Sequence, residues 1–527
     1  MSIRLQYELL IALLMAILVL ALAARRLRLP PAAAFILGGV GLALIPGLPS
    51  IAVDPDLVLL VFLPPLLMNG AYFTVWREFR ENFAGILSLA LGAVVFTTLA
   101  VGWTVKWLVP ELPWAACFAL GAVVSPPDAV AASAILERLN LPGRITALLE
   151  GESLVNDASG LVLFRFAVAA ALTGAFDAGR AAGSFVLVAA GGALVGLVIG
   201  RAGMFIIRRL RDSDLVITAT LLLAGLSYAG GEQLGVSGVL ATVTTGLMLG
   251  WHQHEAFSAA TRIRAQAFWR VLVFLLESML FILVGLSLRG VLERIGGMHH
   301  RVAEMAVPVL GVVAAVIASR FVWLYGSDLV MRLARRLGLG GITPPTFAID
   351  TLMGWAGMRG AVTLAAALSL PGGFPGRDLV LVSAFAVILV TVLVQGTTLG
   401  ALIRLLGLVD PRDARQLQES GDAAWLRMAE AQYEAIATLS HQPDGSERHP
   451  RLLEQYGHRA RVAARYIADR DAHDPGRIEH FNAVLAAIRA GRAEVLRMHR
   501  SGEIHDHVLR ELEYELDLQQ MVAESQT

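Results

Sequence analysis

Charge is scarce in this chain. Only 16% of its 527 residues are Asp, Glu, Lys or Arg, against about 25% in soluble domains. The 43 basic and 43 acidic residues cancel, so bulk electrostatics give no ground for a nucleic-acid partner. Cysteine is nearly absent too: Cys117 stands alone in an apolar run, which excludes an internal disulfide and says nothing about redox compartment. The first apolar stretch has little basic charge before it and no clear small-residue cleavage site, so it is expected to be retained rather than removed as a signal. What abounds is apolar surface, 56% of the residues with a mean hydropathy of +0.64. The bilayer, not water, is the solvent this composition suits.

A window of about 20 residues, the length that crosses a hydrocarbon core of about 30 Å, gives thirteen candidate spans, near 6–24, 31–48, 55–74, 84–109, 113–136, 145–173, 182–206, 214–230, 233–251, 267–290, 303–325, 346–371 and 378–406. Arginines collect on one side of them: Arg25, Arg26 and Arg28; Arg77 and Arg80; Arg138 and Arg144; Arg208, Arg209 and Arg211; Arg262 and Arg264; Arg332, Arg335 and Arg336. The opposite loops, with Asp54 or Glu111, are short and poor in basic residues. Positive loops stay in the cytoplasm, which puts the N-terminus outside and the C-terminus inside, a parity that needs an odd number of spans. The expected fold class is therefore an all-α polytopic membrane protein, with a transmembrane domain over 1–409.

Residues 410–527 differ in character. Arg412, Arg415, Glu419, Asp422, Arg427, Glu430 and Glu434 open a polar region whose apolar residues, such as Phe481, Val484, Leu485 and Ile488, recur at helical spacing. A small helical cytoplasmic domain is expected there, with a loop at His441 to Arg451. Assistance to folding or dimer packing and a regulatory role, through a cytoplasmic partner, are equally open readings.

Polar residues at bilayer depth carry the chemistry. Each ionisable group there costs about 2.5–3.5 kcal/mol on insertion scales, so the string Gly151-Glu-Ser-Leu-Val-Asn-Asp157 and the lone Asp128 need a compensating role, most often an ion or proton path. In the fifth span Pro126 and Pro127 lack backbone N–H groups, so the carbonyls of Ala122 and Val123 lose their helical partners and the helix must kink or open. Such a break is tolerated only where protein or a water-filled cavity satisfies the freed groups. The plainer alternative is a proline kink whose aspartate caps the second half-helix.

The twelfth span offers a counterpart. Arg359 stands between Gly357 and Gly360, where glycine lets the backbone leave the helix. Two interrupted spans in corresponding places of two six-span halves point to an inverted-repeat transporter. Asp128 is then expected to face the positive half-helix N-termini and Arg359 the negative C-termini. On the sixth span Glu152 stacks on Asn156 and Ser153 on Asp157, four residues apart, so one pair can serve structure and the other function. A buried carboxylate stays ionised only beside a cation. Arg320 of the eleventh span is the partner expected for Glu152, which leaves Asp157 for function.

Other polar residues have weaker claims. Arg165 is read as balancing the core charge or as pairing with an unidentified partner, Glu277 and Asp350 as pairing within the bundle or lining the path. His252 and His254 fall beside Glu255 in an expected cytoplasmic loop, where solvated histidines are commoner than pH sensors.

The strings VSPPDAVAASAILERL and GESLVNDASGLVLF, with FLPPLLMNGAYF before them and GMRGAVTLAAALSLP and TVLVQGTTLG after, resemble the cation/proton antiporter family that includes bacterial and animal sodium/proton exchangers. The likeness covers about residues 6–408. It implies a homodimer of thirteen-helix protomers, two inverted six-helix repeats with broken crossing helices, and a core domain that moves against a dimerisation domain. It also implies that Asp157 is the shared cation and proton site, with Asp128, Ser153 and the Pro127 carbonyl as further oxygen ligands and Asn156 as a brace. Glu152 with Arg320 is the implied buried ion pair, and Arg359 the charge at the second break. No cofactor is implied; the monovalent cation, Na+ before K+ or Li+, is cargo. Two departures bear on cation preference: Met68-Asn69 stand where many relatives carry an acidic residue, and Pro-Pro precedes Asp128 with Ala129 after it. Asn156 replaces the second aspartate of electrogenic relatives, which implies one proton per cation.

Competition is the mechanism expected. A proton or a hard monovalent cation each neutralises Asp157, and the empty charged site does not cross readily, which enforces exchange. A channel or sensor on the same fold, with the tail as output, is the rival, favoured by proton flux without a counter-cation. An intramembrane hydrolase using Asp128 and Asp157 as acid and base lacks both a nucleophile and a substrate loop.

Overall fold

The computed structural model describes residues 3–27, 29–45, 58–128, 132, 143–174, 177–294, 301–337, 346–408, 411–442, 446–468 and 475–524. Arg28, Asp54, Ala129 and Arg138, used above, lie outside them. All regular elements among the described residues are helical, and the chain divides into two compact units, Met1–Asp410 and Pro411–Thr527.

The first unit begins with α1 (Ile3–Leu27) and α2 (Pro31–Ala43), whose first turn is started by Pro31, a residue at no cost where the N–H is unpaired anyway. A π-helical turn, Val58–Phe62, runs into α3 (Leu63–Phe73); then come α4 (Trp76–Glu81), α5 (Phe83–Leu87), a second π-helical stretch Ser88–Ala93, and α6 (Val94–Leu108). The next helix, α7 (Trp114–Val124), stops just ahead of Pro126. The long α8 (Gly143–Thr173), α9 (Ala178–Ile207), α10 (Ser213–Gln233), α11 (Gly238–Ala256), α12 (Ala259–Arg294) and α13 (Arg301–Arg336) follow. Two short helices, α14 (Phe347–Trp355) and α15 (Ala361–Leu368), flank Gly357 to Gly360. The unit closes with α16 (Arg377–Val390), a π-helical stretch Thr391–Gln395, and α17 (Gly396–Leu405).

Eight helices among the described residues are long and apolar enough to cross a membrane: Leu10–Leu27, Phe83–Leu108, Gly143–Thr173, Ala181–Ile207, Ser213–Gln233, Ala259–Gly290, Met305–Arg336 and Arg377–Leu405. This is a multi-pass membrane protein. The other five expected spans do not appear as single long apolar helices among the described residues. Those at 31–48, 55–74 and 113–136 are represented by shorter apolar helices, the third cut off by its prolines. The span at 346–371 is split at its glycines. The ninth is α11, whose polar Thr242 and Thr245 are spent inside the bundle, Thr245 donating to the Gly196 carbonyl at 2.9 Å. His252 and His254 also fall in the last two turns of α11 rather than in a loop, with the His252 ring 2.9 Å from the Met248 carbonyl.

Small residues set the helix spacing, as expected where lipid tails supply no hydrophobic drive for helix association. A methyl group on Gly39 of α2 would collide with the Ile282 carbonyl of α12, and one on Gly285 with the Ile36 carbonyl, so these two backbones touch. The helices α9, α10 and α11 pack together, with α3 against α11; separately, α6 and α8 pack against α7, and α13 against α6. Asp212 caps α10 by accepting the N–H groups of Asp214 and Leu215 at 2.7 and 3.3 Å, and Ser237 caps α11 at Leu240.

The second unit is α18 (Pro411–Ser440), α19 (Pro450–Ala468), α20 (Pro475–Arg500) and α21 (Asp506–Glu524), packed pairwise α18 on α19 and α20 on α21. Of the loop expected at His441 to Arg451, His441 pairs with Glu447 in an isolated antiparallel bridge, 443–445 lie outside the described residues, and Pro450 and Arg451 already belong to α19.

Candidate functional site

Two broken helices meet at backbone level. α7 ends at Val124 because neither Pro126 nor Pro127 can donate. One freed acceptor, the Ala122 carbonyl, takes the Ser125 hydroxyl at 3.1 Å, and Ser125 in turn accepts from Thr98 at 3.2 Å. The carbonyls at the open end are taken by Arg359, which arrives from the other break: Nε donates to Val124 at 3.0 Å and Nη2 to Ser125 at 3.2 Å, while Nη1 donates to the carbonyl of its neighbour Gly357. The guanidinium is 1% exposed. It thus sits on the negative end of the α7 dipole, the place where a cation is most stabilised.

The reverse contact completes the crossing. The Asp128 N–H donates to the Met358 carbonyl at 2.6 Å. Its carboxylate lies over Gly360, the residue that precedes α15, so close that a Cβ on Gly360 would fall on Oδ2. Asp128 therefore stands beside the positive N-terminal end of α15. Gly357 gives way in the same fashion to the side chain of Arg320. The glycines around Arg359 are required by close approach, because anything larger would push Asp128 or Arg320 out of place.

Arg320 and Glu152 form a buried, two-pronged ion pair. Nη1 and Nη2 donate to the two carboxylate oxygens at 2.6 and 2.8 Å, and both side chains are at most 3% exposed. The remaining Nε donates to the Met353 carbonyl at 2.9 Å near the end of α14. One arginine thus joins α8, α13 and the broken helix, and its fixed fork meets the carboxylate along both lone-pair directions.

On α8, Asn156 is fully buried and its amide donates to the Pro127 carbonyl at 2.5 Å. A carbonyl has two lone pairs, so this bond leaves one for a cation. The other end of the amide, Oδ1, is buried with no hydrogen-bond partner. Orphaned buried oxygens ask for an explanation, and a bound cation supplies one. Ser153, Asp128 and Pro127 line a small cavity together with Glu152, Arg320 and Leu149. Asp157, one turn beyond Ser153 and partly buried, feels the charge of Asp128. The structure thus brings Asp128, Ser153, Asn156 and the Pro127 carbonyl to one place, with Asp157 next to it on α8 and Glu152 with Arg320 as its wall. Such an arrangement offers oxygens to one hard cation, or a carboxylate to one proton.

Some of these supports carry no signal in the sequence. Thr391, in the last π-helical stretch, accepts the Arg359 N–H at 3.1 Å, and Ser159 donates to the Ala90 carbonyl in the second π-helical stretch at 2.5 Å. Helical stretches of this wide kind concentrate at functional sites. Arg165 proves to pair with Glu232 of α10 at 2.8 Å, well outside the crossing.

Comparison with known proteins finds relatives in sequence and in fold. The model of a family described as sodium/hydrogen exchanger, transmembrane, matches residues 9–405. The chain is 34% identical to an uncharacterized Na(+)/H(+) exchanger of Mycobacterium bovis, over 97% of this chain and 95% of that protein. It is 36% identical to a sodium, potassium, lithium and rubidium/H(+) antiporter of Bacillus pumilus, over 69% of this chain and 56% of that one. In three dimensions it is similar to the sodium proton antiporter MjNhaP1 of Methanocaldococcus jannaschii, with a TM-score of 0.59 and 20% identity, covering 76% of this chain and 99% of that one.

Proposed function

This chain belongs to the sodium/hydrogen exchanger family, and from that premise we propose that it exchanges one monovalent cation for one proton across the cell membrane, with both competing for Asp157. The observation that carries the reading is the crossing itself: the Pro127 carbonyl bound by Asn156, whose own Oδ1 is orphaned, beside Asp128 and Ser153. As a cation enters, Asp157 gives up its proton to the side then open; Asp128, Ser153, the Pro127 carbonyl and Asn156 Oδ1 complete the oxygen cage. Either occupant lowers the charge that must move. Sodium is the first candidate, with potassium and lithium next, in keeping with the several alkali cations in the name of the Bacillus pumilus relative.

The same reading includes the finer architecture. Thirteen crossings form two inverted six-helix repeats, with the N-terminus outside, the C-terminus in the cytoplasm, and two protomers joined in a homodimer embedded in lipid. The group around α7, α8 and the broken α14–α15 pair moves against the group of α9, α10 and α11, which pack chiefly on one another. Residues 410–527 form a cytoplasmic domain that receives a regulator. A channel would have no use for a site that must be neutralised before it moves, and family membership favours exchange.

Stoichiometry tests the reading. Asp128 stays ionised beside the N-terminal end of α15, so one carboxylate titrates and each cycle is electrically neutral. In proteoliposomes, proton flux is expected only when an alkali cation is supplied. An imposed potential, worth about 2.3 kcal/mol per charge per 100 mV, is expected to leave the null cation gradient unmoved. A null gradient that shifts with voltage means a second proton moves, and flux without any cation returns the channel reading.

A further inference from the structure

Residues 357–360 cross the second break outside any helix, and at bilayer depth each backbone polar group of such a stretch needs a partner. The Met358 N–H turns back to the Ala356 carbonyl at 2.8 Å, and the Gly357 carbonyl takes the Arg359 side chain. The peptide joining Met358 to Arg359 is held at both ends. Its carbonyl accepts the Asp128 N–H at 2.6 Å, and its N–H donates to Thr391 Oγ1 at 3.1 Å. The first break is built the same way. Pro126 and Pro127 have no N–H, so the first donor after Ser125 is that of Asp128, and the carbonyl of the same peptide, on Pro127, accepts from Asn156 at 2.5 Å.

These bonds form one chain, every donor pointing the same way: Asn156 amide to Pro127 carbonyl, Asp128 N–H to Met358 carbonyl, Arg359 N–H to Thr391 hydroxyl. Thr391 ends it. The residue is fully buried at the start of the last π-helical stretch, and its own hydrogen goes to the Val387 carbonyl at 2.7 Å, so toward Arg359 its oxygen can only accept. The same helical run braces the break at two further points. A Cβ on Gly396 would lie 3.2 Å from Met358 Sδ, and Thr398 accepts the Trp355 ring N–H at 2.9 Å. Linked hydrogen bonds polarise one another: an acceptor at the N–H of a peptide makes its carbonyl more negative, and this effect runs from Thr391 through Met358 to the Pro127 carbonyl.

We propose that Thr391 is a positioning residue for cation binding: it anchors the far end of this chain, and through two peptides fixes where Asp128 and the Pro127 carbonyl stand. This rests on the reading of those two groups as cation ligands. Thr391 touches neither. Without its oxygen the Arg359 N–H is left buried and unpaired, the Met358–Arg359 peptide is free to turn toward another partner, and the Asp128 N–H loses its fixed acceptor. Oxygens held at set distances discriminate between ions by size, and oxygens that can drift discriminate less. The expected signature is therefore weaker binding together with blunted choice between sodium and potassium.

The test is equilibrium binding of sodium and of potassium to the purified full chain at alkaline pH, on material from the folded size-exclusion peak. Thr391→Val, which keeps the branched shape and removes the oxygen, is expected to raise the sodium dissociation constant about tenfold and to move the ratio of the two dissociation constants toward one. Thr391→Ser, which keeps the oxygen, is expected to restore both. Thr391→Cys, with a weaker acceptor of similar size, should fall between them and answers the question if the valine variant does not fold. Parent-like affinity and ratio in Thr391→Val, a serine variant as impaired as the valine one, or a loss confined to yield and melting temperature would each overturn the proposal while leaving the exchange reading in place. A parent protein that binds no alkali cation would overturn both.

Discussion

Asp157→Asn yields a folded protein that exchanges nothing. The substitution keeps the size of the side chain and removes the one group that alternates between a proton and a cation. The supports of the fold stay in place, because the Glu152–Arg320 pair, the Arg359 contacts to Val124 and Ser125, and the Asn156 bond to Pro127 involve other atoms. Cation-driven proton flux in proteoliposomes should therefore fall to the level of empty vesicles, while size-exclusion profile and melting temperature remain near those of the parent. Exchange at the parent rate in this variant would remove Asp157 from the centre of the mechanism.

Glu152→Gln has the opposite signature, a large loss of stability with cation affinity little changed. Arg320 would keep its Met353 contact and lose a charged partner that meets it on two prongs at full burial. Breaking one side of such a pair costs about 3–5 kcal/mol, most of it from the charge left behind. A pronounced fall in melting temperature in detergent is the expected result. Because Arg320 also anchors the end of α14, the loss reaches the broken helix and should slow exchange through folding yield rather than through apparent cation affinity. An unchanged melting temperature with a lost cation response would exchange the roles of Glu152 and Asp157.

The breaks were legible because they violate their surroundings. Two prolines and an aspartate in an apolar run, and an arginine between glycines in another, have few explanations at bilayer depth, and the structure places both interruptions at one crossing. Which atoms Arg359 binds was not legible: its partners are the carbonyls of Val124 and Ser125, and a carbonyl has no sequence signature. The same holds for Ser125 turning back on Ala122, for Ser159 on Ala90, and for the N–H of Arg359 on Thr391. Glu152 could be matched with Arg320 from sequence because so few cations lie in apolar spans, whereas Glu232, the partner of Arg165, stands among many polar residues at helix ends and could not be singled out. The histidines were misplaced for a simpler reason. Hydropathy marks where a span stops being apolar, not where its helix stops, and α11 continues to Ala256.

Equilibrium sodium binding to the purified protein as a function of pH tests the central claim, competition for one carboxylate, most directly. If one proton excludes one cation, the apparent dissociation constant must rise tenfold for each pH unit on the acidic side and level off on the alkaline side, with no such dependence left in Asp157→Asn. A dissociation constant that ignores pH, or that rises a hundredfold per unit, would contradict the account: the first means that proton and cation do not compete, the second that two protons leave for each cation bound.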